Sequence, residues 1–329
     1  MGYYMQAISG HLDLMSREEP IDDLLSENKL KEDVKHKLDL ALQAREFASK
    51  ELKLPDNDSY KTYADLERPY VVWSVVAAPE FSIKPKQWCF LIVGCLSYRG
   101  YFDEQEAQKK AGELKKEGYD VSIAGTMAYS TLGFFDDPLL STMVRQGESS
   151  MIGIIFHELA HQLVHVDGDT AFNEAFATTI EQEGLNRWYT QRSETEKFHA
   201  YLEKKKNRQV VFGFLKDTRK ELDTLYKQDL PVAQKEKRKA LAFDRLRERY
   251  RKWQLTSNYH GFDHWMKKDL NNSHLALIAT YQDLVPNFFA LLKSVNGDLE
   301  TFYKKVEQLG ELDVKERELQ LARYTTAVK

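Results

Sequence analysis

Cysteine is nearly absent from this 329-residue chain; only Cys89 and Cys95 occur. Two cysteines can build neither a disulfide scaffold nor a multi-cysteine zinc module. They share one apolar stretch, Trp88-Cys89-Phe90-Leu91-Ile92-Val93-Gly94-Cys95, which reads as a single strand. At about 3.3 Å per residue such a strand holds the two sulfurs roughly 20 Å apart, beyond any disulfide, unless Gly94 bends the chain sharply. The expectation is two buried free thiols, and cysteine usage fixes no redox compartment.

Long hydrophobic runs are also missing. None approaches the roughly 18 residues of a membrane-spanning helix; the longest, 71–79 and 88–96, are strand-sized. The start, Met1-Gly2-Tyr3-Tyr4-Met5-Gln6, lacks the charged and apolar regions of a signal peptide, and Gln6 stands where N-myristoylation needs Ser or Thr. A soluble chain is expected. Nor does charge of one sign dominate: 47 Lys plus Arg face 51 Asp plus Glu, a net −4, which argues against a dedicated nucleic-acid binder. Internal repeats and low-complexity tracts are absent. What remains, 42% hydrophobic and 30% charged residues, suits a sizeable core under a charge-rich surface. The length fits one large domain carrying an insertion.

Along the chain, residues 4–54 have mostly helical spacing, broken by Pro55-Asp56-Asn57-Asp58. Residues 70–135 turn to β-branched and aromatic runs at 71–77, 88–96 and 121–129, with a helix over 104–116 ending at Gly118. After Ser149-Ser150, a candidate N-cap, comes a helix apolar almost all round, the mark of a buried one. Asp167-Gly168-Asp169-Thr170 is a turn and a new cap, and a second helix follows to about Gly184. Residues 193–253 are heavily charged, with two apolar stripes around Pro231, which predicts an inserted antiparallel helical hairpin. Its second arm, 234–253, holds nine Lys/Arg against three Asp/Glu. Such an arm is either a solvated face or a docking surface for an acidic protein partner.

The chemistry concentrates in His157-Glu158-Leu159-Ala160-His161. On a helix the two histidines sit one turn apart on one face, so both imidazoles can meet one metal ion, while Glu158 lies about 100° round, as a base rather than a ligand. With nine His and 28 Glu in the chain, chance supplies only ~0.02 such patterns. Counting helical rise down to Val166 and back from Thr170 returns Glu174 to about the level of His161, so Glu174 is the expected third ligand, with Glu181 and Glu183 as fallbacks. Phe172 and Phe176 then face the core. Asn173 could hydrogen-bond a ligand imidazole or simply begin the helix, and His165 reads as a helix-end histidine.

These residues carry a resemblance. Phe156-His157-Glu158-Leu159-Ala160-His161-Gln162, then Asn173-Glu174-Ala175-Phe176-Ala177, looks like the gluzincin metallopeptidases, whose aminopeptidase-N-like branch reads His-Glu-Leu-Ala-His-Gln and Asn-Glu-Gly-Phe-Ala. As a whole the chain resembles a bacterial family of predicted zinc aminopeptidases, through Tyr98-Arg99-Gly100-Tyr101-Phe102, Ala128-Tyr129-Ser130-Thr131-Leu132-Gly133 and Asp137-Pro138-Leu139-Leu140-Ser141-Thr142. The resemblance implies a zincin-like α+β, helix-rich metallopeptidase domain with a small β-sheet, spanning 1–329 with the 193–253 hairpin inserted. It also implies one Zn2+ on His157, His161 and Glu174, and a bacterial periplasmic or envelope location with a lipid anchor in the untrimmed precursor.

Two departures stand out. The spacer from His161 to Glu174 is 12 residues, shorter than in the aminopeptidase-N-like branch. Where that branch carries a Glu that recognises the substrate amine, this chain has Ala128. The expected mechanism is a metal-activated water attacking the peptide carbonyl, with Glu158 as general base. Tyr281 is the candidate oxyanion donor, partly on the resemblance, with Tyr129 and Tyr259 as rivals. Ala128, Tyr129 and Ser130, in an extended segment, could pair with the substrate backbone. Asp136 or Asp137 could meet a substrate amine or make a turn, and Arg99 a substrate carboxylate or an ion pair. Two functions result: a zinc peptidase of short peptides, in the family's terms an aminopeptidase, or a non-catalytic zinc-containing envelope protein that binds partners.

Overall fold

The computed structural model describes residues 2–27, 30–90, 94–276, 278 and 284–326. The first half of the chain gives α1 (Gly2–Ser16), β1 (Glu18–Pro20), α2 (Ile21–Ser26), α3 (Glu32–Lys50), β2 (Thr62–Ala64) and β3 (Val72–Pro79). There follow β4 (Trp88–Phe90), β5 (Gly94–Leu96), β6 (Arg99–Tyr101), α4 (Glu104–Lys116), β7 (Tyr119–Thr126) and β8 (Leu139–Leu140). The remainder is helical: α5 (Ser141–Val144), α6 (Glu148–Leu163), α7 (Thr170–Gln191), α8 (Thr195–Tyr226) and α9 (Val232–Ser257). Last come α10 (Asp263–Met266), α11 (Asn272–Ala276), α12 (Val285–Ser294), α13 (Leu299–Gly310) and α14 (Val314–Thr326). The protein is helix-rich α+β with small sheets.

Two compact units divide the chain, each made of three separate segments. One comprises residues 1–11, 72–126 and 200–279. Its sheet runs β6-β3-β7, all antiparallel, with Val75 opposite Ile123 and Trp73 opposite Tyr101. Asp103 caps α4, its carboxylate accepting from the Glu106 amide at 2.8 Å, and Gly118 in the left-handed region ends it. α8 and α9 run antiparallel, since Asp217 pairs with Arg249 and Glu221 with Arg245. Between them Val211, Phe214, Leu222, Phe243, Leu246 and Tyr250 form a buried apolar cluster.

The cysteines correct the expectation of free thiols. The 88–96 run is no single strand: β4 and β5 pair antiparallel, Cys89 lies directly opposite Cys95, and the two are disulfide-bonded. Gly94 at φ +69° supplies the bend that period-2 reading could not see.

The other unit comprises residues 12–71, 127–199 and 280–329. Here β1-β2-β8 form a three-stranded sheet, antiparallel then parallel. Its centre is the pairing of α6 with α7, flanked by α3 and α12. Phe156, Phe172, Phe176, Leu159 and Trp188 are almost wholly buried, each such side chain contributing about 1.5–3 kcal/mol. The Phe47 ring meets Trp188 edge-on at 5.2 Å, and Phe172 meets Phe288 at 5.0 Å. Two glycines let the helices approach. A Cβ on Gly184 would stand 2.6 Å from Phe156, and one on Gly153 would stand 3.2 Å from both Glu181 and Leu185. Gly184 is therefore a packing residue and not a helix end, and α7 continues to Gln191.

Candidate metal centre

The apolar stripe of α6 fixes which way its polar residues point. Met151, Ile152, Ile155, Phe156, Leu159 and Ala160 are buried, which leaves His157, Glu158 and His161 on the remaining arc. α6 begins at Glu148 with Gly147 at its cap, rather than at a Ser149-Ser150 cap, and ends at Leu163, where Val164 is extended. Gly168 then turns in the left-handed region, and Asp169 caps α7 by accepting from the Phe172 amide at 3.0 Å. Among the described residues Asn173 makes no hydrogen bond to an imidazole. Its side-chain amide brackets the Val166 backbone, accepting at 2.9 Å and donating at 2.8 Å, and so pins the connecting loop. Buried Arg317 grips Asp169 and donates to the carbonyls of Leu309, Gly310 and Leu312.

This loop sets Glu174 against both histidines. His157 Nε2 lies 3.4 Å from Glu174 Oε2, His161 Nε2 lies 3.6 Å from Glu174 Oε1, and the two Nε2 atoms are 3.1 Å apart. The three groups form a possible metal-binding triad. Tetrahedral donors held at about 2.0–2.2 Å from an ion stand about 3.3–3.6 Å from one another; both His–Glu174 separations fall in that range and the two Nε2 atoms lie slightly closer. His161 Nδ1 is buried with no hydrogen-bond partner among the described residues.

Glu181, read from the sequence as a fallback ligand, has another position. Its Oε2 lies 3.4 Å from His157 Nδ1, on the far side of the ring from Glu174. It lies behind the imidazole, the place that carboxylate partners of metal-bound histidines take. Burial alone would push His157 down, but the hydrogen bonds to Glu174 and Glu181, with the field of Glu158, push it up to about 10. His161 is pushed down to about 4 by burial and by the positive His157. Glu174 is held low: burial opposes this, but His157 and His161 prevail.

Glu158 faces a separate set of groups. Burial raises its carboxyl, His157 opposes, and Glu174 and Asp137 push it further up. The Ser130 hydroxyl, 3.1 Å from Asp137 Oδ2, lies within hydrogen-bonding reach of Glu158. Asp137 is 2% exposed and also accepts from the Thr131 amide, so it holds a loop in place. Fully buried Tyr60 joins them at φ +66°, its phenol raised by burial, Glu158 and Asp137, against the opposing Ser130 hydroxyl within its reach. Nothing in the sequence marks Tyr60, because only the tertiary fold brings it here. Gln162, one turn beyond Glu158, donates to Ser59 Oγ at 3.2 Å and accepts from Asn57 at 2.8 Å.

Ala128, Tyr129 and Ser130 lie beyond the end of β7 and outside any strand; Tyr129 is half-buried near Asp137. Tyr259 packs between Trp253 and Phe262, just past the end of α9. Arg99 stacks over Tyr101 at 5.7 Å, and His165 sits 3.8 Å from Asp167 at the end of the loop. Tyr281 lies outside the described residues.

No curated protein and no solved structure matches the chain. A family profile does match, over residues 2–321, nearly the full length, and by it the chain belongs to the family described as "Putative aminopeptidase".

Proposed function

We propose that the protein is a zinc-dependent peptidase that hydrolyses short peptides, with the aminopeptidase action that its family's description states. One observation carries the reading. His157, His161 and Glu174 converge their donor atoms, while a fourth ionisable group, Glu158, stands beside them outside the donor set. A purely structural site has no use for that free carboxylate.

His157, His161 and Glu174 would hold the ion, and two imidazoles with one carboxylate are a donor set suited to zinc. Zinc, when bound, supplies a Lewis acid that polarises a carbonyl and acidifies water. Glu158 takes the proton of the attacking water and hands it to the leaving amine. Burial and the neighbouring Glu174 and Asp137 raise its proton affinity, which suits it to both transfers. The Ser130 hydroxyl, within reach of both Asp137 and Glu158, has one proton to give to either carboxylate. Tyr281 is the proposed donor to the developing oxyanion, on the resemblance and the chemistry alone.

The paired α6 and α7 support a zincin-like reading of the unit that holds them, and the 193–253 hairpin is the proposed insertion. The Cys89–Cys95 disulfide supports placement in an oxidising compartment such as the bacterial envelope. Chelation followed by zinc add-back tests the function: peptide hydrolysis is lost and then restored. Glu174→Ala should lose zinc by mass spectrometry, and full occupancy would count against its assignment. If zinc-loaded protein cleaves no peptide at all, the non-catalytic reading stands instead.

A further inference from the structure

Large apolar side chains normally go inside, and the loop after Ser130 departs from this. Twelve large hydrophobics are exposed among the described residues, and four of them, Met127, Leu132, Phe134 and Phe135, fall within nine positions. Phe134 is 84% exposed and Phe135 54%. Clustered exposure of this kind marks a contact surface.

The loop is firmly held. Asp137 accepts from the Thr131 amide at 2.9 Å, and the Thr131 hydroxyl both accepts from the Phe135 amide at 3.1 Å and reaches its carbonyl at 3.2 Å. The Phe134 amide closes a turn onto the Thr131 carbonyl at 3.2 Å. Leu132, at φ +56°, sits in the left-handed region that non-glycine residues avoid. Strained backbone of this sort persists where the surroundings enforce it, and it concentrates at ligand clamps.

Its position is also informative. Ser130 lies beside Glu158. Three residues later, a Cβ built on Gly133 would meet the Gln162 side chain at 3.4 Å, and Gln162 is one turn past Glu158 on α6. The loop therefore runs along the Glu158–Gln162 face of the helix, on the side of the proposed base. Between Ser130 and Asp136 it carries no charged residue to receive a charged side chain. Asp136 itself is occupied, accepting from the Asp58 amide at 3.2 Å.

We propose that Leu132, Phe134 and Phe135 form an apolar lip that receives a large aliphatic or aromatic side chain of the substrate peptide beside the scissile bond. The inference rests on the peptidase reading above and names its substrate class. Ring faces and edges at the lip desolvate such a side chain and orient it, which a polar side chain would not repeat.

The test uses two peptides that differ only in Phe or Ser at the residues flanking a cut site mapped on the zinc-loaded wild type. Binding is read by calorimetry in the zinc-loaded Glu158→Gln protein, and kcat/KM in the active protein. The parent should favour the Phe peptide by roughly 10-fold or more in both. Phe134→Ser, alone and with Phe135→Ser, should erase that preference at unchanged zinc stoichiometry and melting temperature. A preference that survives both substitutions, or none in the parent, overturns the lip. So does a result in which Phe134→Ser loses binding to phosphatidylglycerol vesicles while peptide preference persists; the lip would then face lipid. Absence of any cleavage by wild type overturns the peptidase reading itself and the lip with it, whereas cleavage without preference overturns the lip alone.

Discussion

Glu181 offers a quantitative test of the metal centre that leaves its three proposed ligands untouched. Its carboxylate lies 3.4 Å from His157 Nδ1, with a side chain only 21% exposed. Glu181→Gln keeps the shape and removes the charge. Partners of this kind are worth about 10–100-fold in metal affinity, or about 1.4–2.7 kcal/mol at about 1.4 kcal/mol per tenfold. The proton complicates the reading in a way that can be checked. Glu181 helps push His157 up to about 10, so at pH 7 an incoming cation must displace a tightly held proton. The substitution loosens proton and cation together. Part of the loss at pH 7 is thereby offset, and the full loss emerges as pH approaches 10. Gly153→Ala should act in the same direction more weakly, since its Cβ would press on Glu181 from 3.2 Å. Competition against a chromophoric chelator at pH 7 and pH 9 measures both. An affinity within twofold of wild type at both values would refute the orienting role.

Three further outcomes follow from the same geometry. Cation binding at pH 7 should release about one proton, from His157 and not from His161, which burial and His157 push down to about 4; calorimetry in buffers of different ionisation enthalpy counts it, and zero release contradicts the account. Because His157 is raised on folding, the stability it gives the metal-free protein is complete below about pH 6.5 and lost as pH climbs toward about 10, so a melting temperature flat across that window speaks against it. Asp169→Asn can keep the α7 cap but leaves buried Arg317 without its counter-charge, at a cost of about 3 kcal/mol, the low end because three carbonyls still hold the guanidinium; denaturant unfolding with no change would refute the pairing.

How far the sequence could be read depended on whether the deciding contacts were local. His157, Glu158 and His161 lie within two helical turns, and Asp169 caps the next helix a few residues on, so periodicity and cap chemistry suffice to bring Glu174 back to them. Glu181 was within reach as well: seven residues after Glu174, it lies on the same face of α7. Tyr60 and Ser130 were not, because their approach to Glu158 depends on loops that carry no period. The N-terminal stretch of mostly helical spacing is interrupted at β1, whose three residues find their partner only in β2, with Glu18 opposite Ala64. In the cysteine segment, uninterrupted apolar character looked the same for one strand as for the two that β4 and β5 form.

The central claim is that Glu158 works as the base beside a metal held by His157, His161 and Glu174. Glu158→Gln tests it most directly, with zinc stoichiometry and peptide turnover measured on the same preparation. The expected result is one zinc per chain, as in wild type, and loss of turnover. Cleavage at the wild-type rate by a fully loaded Glu158→Gln protein would contradict it.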